Sequence, residues 1–263
     1  MTVPVFVICR DRLAPLRALL SWLEKAGLSE VYLIDNDSRF EPLLAFYEQC
    51  PHEVIYLRRN VGRHSLFRVD ALDARLGGRD FVYTDPDVVP IEECPLDAVD
   101  RFAELLAAHP AVGKVGFGLK IDDIPRHYRH RRAVLKWEAQ FWKTEIEPGV
   151  FSAPIDTTFA LYRSGQETFS FDALRTGWPY VARHVTWYVD SARLSEEELF
   201  YQRRAVTETS EDKGISHWSA PVLPDEFRAR LSWQSDVRRL RRRLALGRRL
   251  RGAGARVRRW NDS

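Results

Sequence analysis

Two carboxylates separated by a single proline are the residues of this sequence best suited to chemistry. They are Asp85 and Asp87, and Pro86 between them removes a backbone donor and fixes φ, so the segment stays non-helical. Where a strand ends and the chain turns, both carboxylates can reach one ligand, and such a pair suits a hard divalent cation, Mg²⁺ or Mn²⁺. The alternative is a turn in which one Asp caps the next helix and the other is solvated. We favour the metal site because an apolar run, residues 81–83, leads into the pair.

A sheet must position these carboxylates. Apolar runs predict strands that begin near residues 3, 31, 53 and 80, each followed by a helical pattern. This alternation predicts an α/β fold with a mostly parallel sheet and helices on both faces. Ligands of such sheets bind outside the carboxyl ends of the strands. The four predicted strand ends are polar: Cys9-Arg10-Asp11-Arg12, Asp35-Asn36-Asp37, Arg59-Asn60 and Asp85-Pro86-Asp87.

The rest of the chain is less regular. We predict strands over residues 112–120 and 156–162, and helices over 65–76, 96–109, 133–144 and 195–204. Ser195 with Glu198 three residues later is typical of a capping box, in which each residue caps the other's backbone.

The motifs at residues 35–38 and 85–87, together with a short charged loop after the first strand, resemble those of GT-A glycosyltransferases, and most closely a broad family 2-like group. As architecture, the resemblance covers residues 3–165. It implies the GT-A fold, a three-layer sandwich with a mostly parallel central sheet. It also implies metal-dependent transfer of a sugar from a UDP-, GDP- or dTDP-linked donor to a glycan, lipid-linked or metabolite acceptor.

The resemblance also implies roles for the residues at the strand ends. Those expected to bind the nucleotide-sugar are Arg10, Asp11, Asp35, Asp37, Asn60 and Asp85. Asp35 or Asp37 would bind the base or ribose, Asp85 the ribose or sugar, and Asp87 the metal directly. A late histidine often adds a metal or phosphate contact in such enzymes, which suggests His184 as a further metal ligand, with His217 a weaker candidate. The alternative for His184 is a histidine hydrogen-bonded within an aromatic cluster.

The catalytic base is open, because the Glu-Asp acceptor motif common in family 2 cannot be placed in this sequence. An inverting transfer needs a carboxylate within hydrogen-bond reach of the acceptor hydroxyl. Asp156 is our first choice because it opens a predicted strand after the metal motif, and Asp190 is the second. A side-chain turn between Asp156 and Thr158 is the competing interpretation.

Residues 125–132 form a basic loop, which is either solvated or a lid that closes over a diphosphate or an anionic acceptor. Trp137 and Trp142 could stack on a sugar, although tryptophans at helical spacing more often belong to a core.

Charge is distributed unevenly along the 263 residues. The whole chain has 40 basic and 37 acidic residues, whereas the segment from Val237 onwards has eleven Arg and one acid. We therefore expect a domain over residues 1–235, with a nucleotide-binding half to about 95 and an acceptor half after it, and an Arg-rich tail over 236–263. Residues 1–236 therefore carry 29 basic and 36 acidic residues, and this acidic body argues against nucleic acid as a partner.

The tail is either solvated or attached to an anionic membrane surface, which would suit a lipid-linked or cell-envelope acceptor. Three cysteines at no metal-like spacing indicate a reduced, cytoplasmic protein, which the tail could hold at the inner face of the membrane.

Two other classes of function compete with the glycosyltransferase. A nucleotidyltransferase on a related sheet usually has a Gly-rich loop after its first strand, and residues 9–13 lack glycine. A non-catalytic nucleotide-sugar binder of the same fold would bind a donor without turnover.

Overall fold

The computed structural model describes residues 2–62, 65–66, 69, 72–165, 172–207, 218 and 221–223. The chain divides into two units, Met1–Pro221 and Val222–Ser263. The predicted tail over 236–263 and His217 lie outside the described residues. In the described part, no helix is long and apolar enough to cross a membrane.

Ten strands of the described residues form one sheet in the order β3-β2-β1-β4-β9-β6-β10-β8-β7, with β5 paired to β10. β1, β2, β3, β4, β6 and β10 all run in the same direction, and β9 runs antiparallel between β4 and β6. The prediction of an α/β fold with a mostly parallel central sheet is therefore confirmed. The strands are β1 (Val5–Cys9), β2 (Val31–Asp35), β3 (Glu53–Tyr56), β4 (Phe81–Thr84), β5 (Val88–Pro90), β6 (Lys114–Leu119), β7 (Glu145–Glu147), β8 (Val150–Ser152), β9 (Ala160–Tyr162) and β10 (Ala173–His184).

Helices cover both faces of this sheet. One core cluster contains side chains of α1, α2 and α4, and the other contains Leu72 and Leu76 of α3. The helices are α1 (Ala14–Lys25), α2 (Glu41–Gln49), α3 (Leu72–Leu76), α4 (Ala98–Ala108), α5 (Arg131–Glu138) and α6 (Glu196–Thr207), with a 3₁₀ turn over Val185–Tyr188.

The first strand and helix show how the sequence builds these layers. Every side chain of β1 is buried, with Val5 and Val7 in one core cluster and Phe6 and Ile8 in the other. This is the reason why β1 is apolar throughout instead of alternating with polar residues.

Helix α1 ends as its sequence predicts. Gly27 has φ +71°, which a residue without Cβ adopts at no steric cost. Its N–H donates to the carbonyl of Glu24, and the N–H of Leu28 donates to that of Leu23. This hydrogen-bond pair is a Schellman motif, which satisfies the last carbonyls of the helix and turns the chain into β2.

Three predicted elements differ from the structure. The strand predicted from Asp156 begins only at Ala160, because the preceding residues form a loop in which Lys114 of β6 bonds to the Ile155 carbonyl and Thr157 bonds to Asp85, just after β4. The helix predicted over 133–144 is Arg131–Glu138, and the chain then turns so that Phe141 N–H bonds to the carbonyl of Glu138. Of the helix predicted over 65–76, the described residues contain Leu72–Leu76.

Candidate functional site

The carboxyl ends of β1, β2 and β4 meet at one edge of the sheet, as the sequence predicts. Cys9 lies opposite Asp35, and Val7 lies opposite Thr84. The loops that leave these strands therefore start side by side.

Asp11 ties the first two loops together. Its Oδ1 accepts hydrogen bonds from the backbone N–H groups of Arg39 (2.6 Å) and Phe40 (3.0 Å), and its own N–H donates to Ser38 Oγ. The residue is fully buried and has φ +52°, a conformation that Asp tolerates better than most residues. Asp11 thus has a structural role at the strand tips, in addition to the nucleotide contact predicted for it.

Asp35 and Asn60 are also integrated into this framework. Asp35 accepts hydrogen bonds from the Tyr47 hydroxyl (3.1 Å) and the Ser38 N–H (3.2 Å), and burial raises the pKa of its carboxyl. Asn60 Oδ1 accepts from the side-chain amide of Asn36, whose Oδ1 accepts from the N–H of Val61. An amide network therefore joins the loops after β2 and β3.

Two other predicted nucleotide-binding residues are more open. Asp37 is half-buried with φ +66° and lies 3.6 Å from the exposed guanidinium of Arg39. Arg10, which follows β1 directly, is also half-buried.

Asp85 and Asp87 share a negative environment beyond β4. Thr157 Oγ1 donates to Asp85 Oδ2 at 2.6 Å, and the N–H of Asp85 donates to the Thr157 carbonyl. Burial, followed by the charge of Asp87, raises the pKa of the Asp85 carboxyl well above its usual range. A buried carboxyl whose ionisation is disfavoured by a neighbouring carboxylate is typical of a site that binds a positive group.

The positive group that the structure places on Asp87 is Arg12. Its Nη1 lies 2.7 Å from Asp87 Oδ2, and its Nη2 lies 3.1 Å from Glu198 Oε2 on α6. The guanidinium also stacks on Tyr201, 3.7 Å from the ring centroid. The side chains of Arg12, Asp87 and Glu198 are 4 %, 5 % and 7 % exposed, so this row of alternating charges is buried.

His184 lies beside the same carboxylate. Its Nδ1 is 3.8 Å from Asp87 Oδ2 and 2.6 Å from Thr186 Oγ1, and its ring stacks on Trp187 at 4.8 Å. Burial lowers the pKa of the imidazole, which favours the neutral form. Both interpretations of His184 thus have a basis in the structure, since it belongs to an aromatic cluster and also borders Asp87.

The predicted metal ligands do not form a cation site in this arrangement. Within the described ranges, no group of three or more His, Cys, Asp or Glu side chains is arranged to hold a metal ion. The Arg12 guanidinium lies 2.7 Å from Asp87 Oδ2 and already compensates the charge of this carboxylate. Asp85, Asp87 and His184 therefore fit a divalent cation only if Arg12 moves away from Asp87.

Helix α6 lies across the strand tips and makes the contacts that sequence reasoning missed. Arg204 Nη1 lies 2.7 Å from Asp11 Oδ2, and Arg204 Nη2 lies 3.2 Å from Asp37 Oδ2. Glu197 Oε2 accepts the N–H groups of Leu13 (2.7 Å) and Ala14 (3.0 Å) at the start of α1. The residues at positions 198, 201 and 204 share one face of α6, but polar residues also occupy its other faces, so no local pattern singled out these contacts.

The predicted capping box is formed only by half. Ser195 Oγ accepts the N–H of Glu198 at 3.2 Å, as expected for an N-cap. The Glu198 carboxylate, however, bonds to Arg12, because a buried guanidinium is a stronger partner than a solvated backbone N–H.

Asp156, the first candidate for the catalytic base, is exposed on a loop that two buried cations hold in place. Lys114 Nζ donates to the carbonyl of Ile155 at 2.7 Å, and Arg175 Nε donates to that of Pro154 at 2.9 Å. Arg175 is itself paired with Glu138 at 2.9 Å. The charge of Asp156 contributes to the raised pKa of the Asp85 carboxyl. The loop thus brings Asp156 to the same edge as Asp85.

Asp190, the second candidate, accepts the N–H of Ala192 at 2.9 Å and closes a surface turn.

Contacts with the rest of the fold hold part of the basic loop and Trp142. Arg129 donates to the carbonyl of Pro221 and Arg131 to that of Ile124. The ring of Trp142 packs edge-on against Phe151 and fills the space beside Gly118, where a Cβ would lie 2.6 Å from it. Trp142 is therefore a packing residue.

No protein-family model and no curated sequence matches the chain. Among solved structures, glucosyl-3-phosphoglycerate synthase from Mycobacterium tuberculosis, in complex with phosphoglyceric acid, is similar with 14 % identity and a TM-score of 0.39. The match covers 62 % of this chain, which spans 57 % of the synthase chain. UDP-glucose pyrophosphorylase from Acinetobacter baumanii is similar with 9 % identity and a TM-score of 0.36, over 71 % of this chain and 76 % of that one.

Proposed function

We propose that this chain is a glycosyltransferase that moves a sugar from a UDP-, GDP- or dTDP-linked donor to a carbohydrate, lipid-linked or metabolite acceptor. The observation that carries the proposal is the meeting of the acidic loops after β1, β2 and β4 at the carboxyl edge of a mostly parallel sheet. Open sheets of this kind bind their ligands there. The GT-A fold and the family 2-like resemblance of the motifs at 35–38 and 85–87 are part of this proposal.

The reaction breaks the bond between the anomeric carbon and a diphosphate oxygen, so negative charge grows on the leaving diphosphate. A cation that lies against this charge lowers the barrier. Mg²⁺ or Mn²⁺ on Asp85 and Asp87, with His184, is the cation inferred from the sequence, and it would compete with Arg12 for Asp87. When bound, the metal would supply Lewis-acid stabilisation of the diphosphate.

Asp156 is the carboxylate proposed to accept the proton of the acceptor hydroxyl, with Asp190 as the second candidate. Exposure of Asp156 and its electrostatic interaction with Asp85 favour it. Asp190 already accepts a backbone hydrogen bond in a surface turn, which counts against it.

Location is a further part of the proposal. The Arg-rich tail over 236–263 would hold a cytoplasmic protein at an anionic membrane surface, and nucleic acid is not a proposed partner. Sedimentation of the full chain with vesicles of anionic lipid, compared with vesicles of neutral lipid, tests this part.

Donor turnover by the full-length chain tests the enzymatic assignment. UDP-, GDP- and dTDP-sugars are each incubated with Mn²⁺, with Mg²⁺ and with chelator, and nucleoside diphosphate release is measured with and without an acceptor panel. Asp87→Asn, which keeps the side-chain shape, should lower the rate by at least about 100-fold. Asp100→Asn, an exposed acid of α4, is the control and should leave the rate unchanged. Release that does not respond to Asp87→Asn would contradict the assignment.

A non-catalytic nucleotide-sugar binder is the second candidate, and one observation favours it. Asp87 is buried beneath α6 and already neutralised by Arg12. Donor binding by calorimetry without turnover, across the same acceptor panel, would select this alternative.

A further inference from the structure

Two carboxylates of α6 occupy neighbouring positions at the start of α1. Glu198 lies on the Arg12 guanidinium, and Glu197 accepts the N–H groups of Leu13 and Ala14. A guanidinium and two backbone donors that converge on anionic oxygens are the groups with which proteins bind phosphate. In the described residues, this set is filled by the chain's own side chains.

This set lies beside Asp87, the residue to which the proposed function assigns the cation on the diphosphate. Arg12 also contacts Asp87, and Asp11 and Asp37 on the adjacent loops are paired with Arg204 of the same helix. Phe200 of α6 packs on Phe40 with ring centroids 5.3 Å apart. With α6 in this position, the side chains of Asp87 and Arg12 are 5 % and 4 % exposed, so no nucleotide can reach them.

The charges explain why an anion would be needed to move the helix. Arg12 lies between two carboxylates, and Asp85 adds a third acidic group nearby. If Glu198 left without replacement, a buried guanidinium would lose one of its partners, which is strongly unfavourable. A phosphate that takes the place of the Glu198 carboxylate keeps the charge of Arg12 compensated. Replacement of the carboxylate by a phosphate therefore costs less free energy than movement of α6 without a ligand.

We propose that Arg12, with the backbone amides of Leu13 and Ala14, binds a phosphate of a nucleoside diphosphate, and that Glu197 and Glu198 of α6 hold this position until the diphosphate displaces them. The inference rests on the proposed function, since it names the binding group of the same donor. Helix α6 is then a lid whose two glutamates stand in for donor phosphates, and it must move before Asp87 can act.

Calorimetric binding of UDP, GDP and dTDP to the full chain, each with and without Mg²⁺, tests this proposal. Glu198→Gln removes the competing charge and should tighten binding of the preferred diphosphate by about ten-fold, within the usual range of coupling between linked equilibria. Glu196→Gln, an exposed acid at the start of the same helix, loses the same charge and should bind as the wild type does.

A second measurement does not depend on any variant folding. Hydrogen exchange of the wild-type backbone over 196–204 should become faster when the diphosphate binds, because α6 leaves its partners. Slower or unchanged exchange in the bound state would overturn the lid.

The outcomes separate this inference from the proposed function. If the wild type binds a diphosphate and Glu198→Gln binds it no more tightly, α6 is a fixed part of the fold and only the lid is refuted. Binding by Glu198→Gln but not by the wild type supports the lid. If neither protein binds any of the three diphosphates, both the lid and the proposed donor are refuted.

Discussion

The buried charge row at the strand tips predicts a large loss of stability for Arg12→Met. Methionine keeps an apolar stem of similar length, so the substitution mainly removes the guanidinium. Asp87 and Glu198 are then left without the positive group that lies 2.7 Å and 3.1 Å from them. Removing one partner of a buried ion pair costs about 3–5 kcal/mol, because an uncompensated charge stays in a low-dielectric site.

Urea unfolding followed by circular dichroism measures this loss as a shift of the midpoint. Arg101→Met is the matched control. Arg101 also pairs with a glutamate, Glu104 at 3.1 Å, but the two side chains are 37 % and 68 % exposed. Exposed pairs between neighbouring turns of a helix are worth about 0.5 kcal/mol or less, so the control should unfold near the wild-type midpoint.

A double variant identifies the source of the loss. Glu198→Gln in the Arg12→Met background replaces one stranded carboxylate with a neutral amide and should recover part of the stability. If Arg12→Met unfolds at the same urea concentration as Arg101→Met, the guanidinium is not buried between two charges, and the strand tips do not contain a buried row of alternating charges.

Three further substitutions test other parts of the fold by the same unfolding assay. Burial lowers the pKa of Lys114 to about 8, and in the unfolded chain the pKa lies near its ordinary value of 10.5. Between these two pH values the unfolded state binds more protons than the folded state. The free energy of unfolding of the wild type should therefore rise with pH relative to that of Lys114→Met, by about 3 kcal/mol at most. If the difference between the two proteins stays constant from pH 7 to 11, the pKa of Lys114 is not perturbed. Gly116→Ala should destabilise the fold by about 2 kcal/mol or more, because a Cβ would lie 2.3 Å from the Phe159 carbonyl oxygen. A urea midpoint equal to that of the wild type would show that the chain at β9 can move away. Ser195→Ala removes the N-cap of α6 and should cost about 1 kcal/mol, and no change would show that the contacts of α6 with the strand tips hold it without a cap.

The first half of the fold was predictable because its signals are local. Strand β1 is apolar along its whole length, and the helix that follows ends at Gly27 with the hydrogen bonds expected there. Because parallel strands end at one edge, the approach of Asp11, Asp35 and Asp85 also followed from the order of elements. The stretch from Asp156 was predicted as strand, and only long-range contacts, from Lys114 to the Ile155 carbonyl and from Thr157 to Asp85, hold it as a loop.

The side chains that pair with the residues of the site were not predictable in the same way. Arg12 and Glu198 are separated by 186 positions, and Arg204 lies 193 positions from Asp11. Nothing in a local window distinguishes these side chains from solvated charges. The capping box of α6 illustrates this point, since Ser195 acts as predicted whereas Glu198 turns to a distant guanidinium.

The sequence by itself determined which residues lie at the carboxyl edge of the sheet, because backbone periodicity and strand direction depend on short-range patterns of apolar residues. Only the tertiary structure decided what those residues bind in this state. Helix α6 packs across the strand tips, and its Glu198 and Arg204 neutralise charges of opposite sign there. Burial makes these pairings obligatory, since a charge removed from water must have a partner, and the partner is selected by the packing of the whole chain.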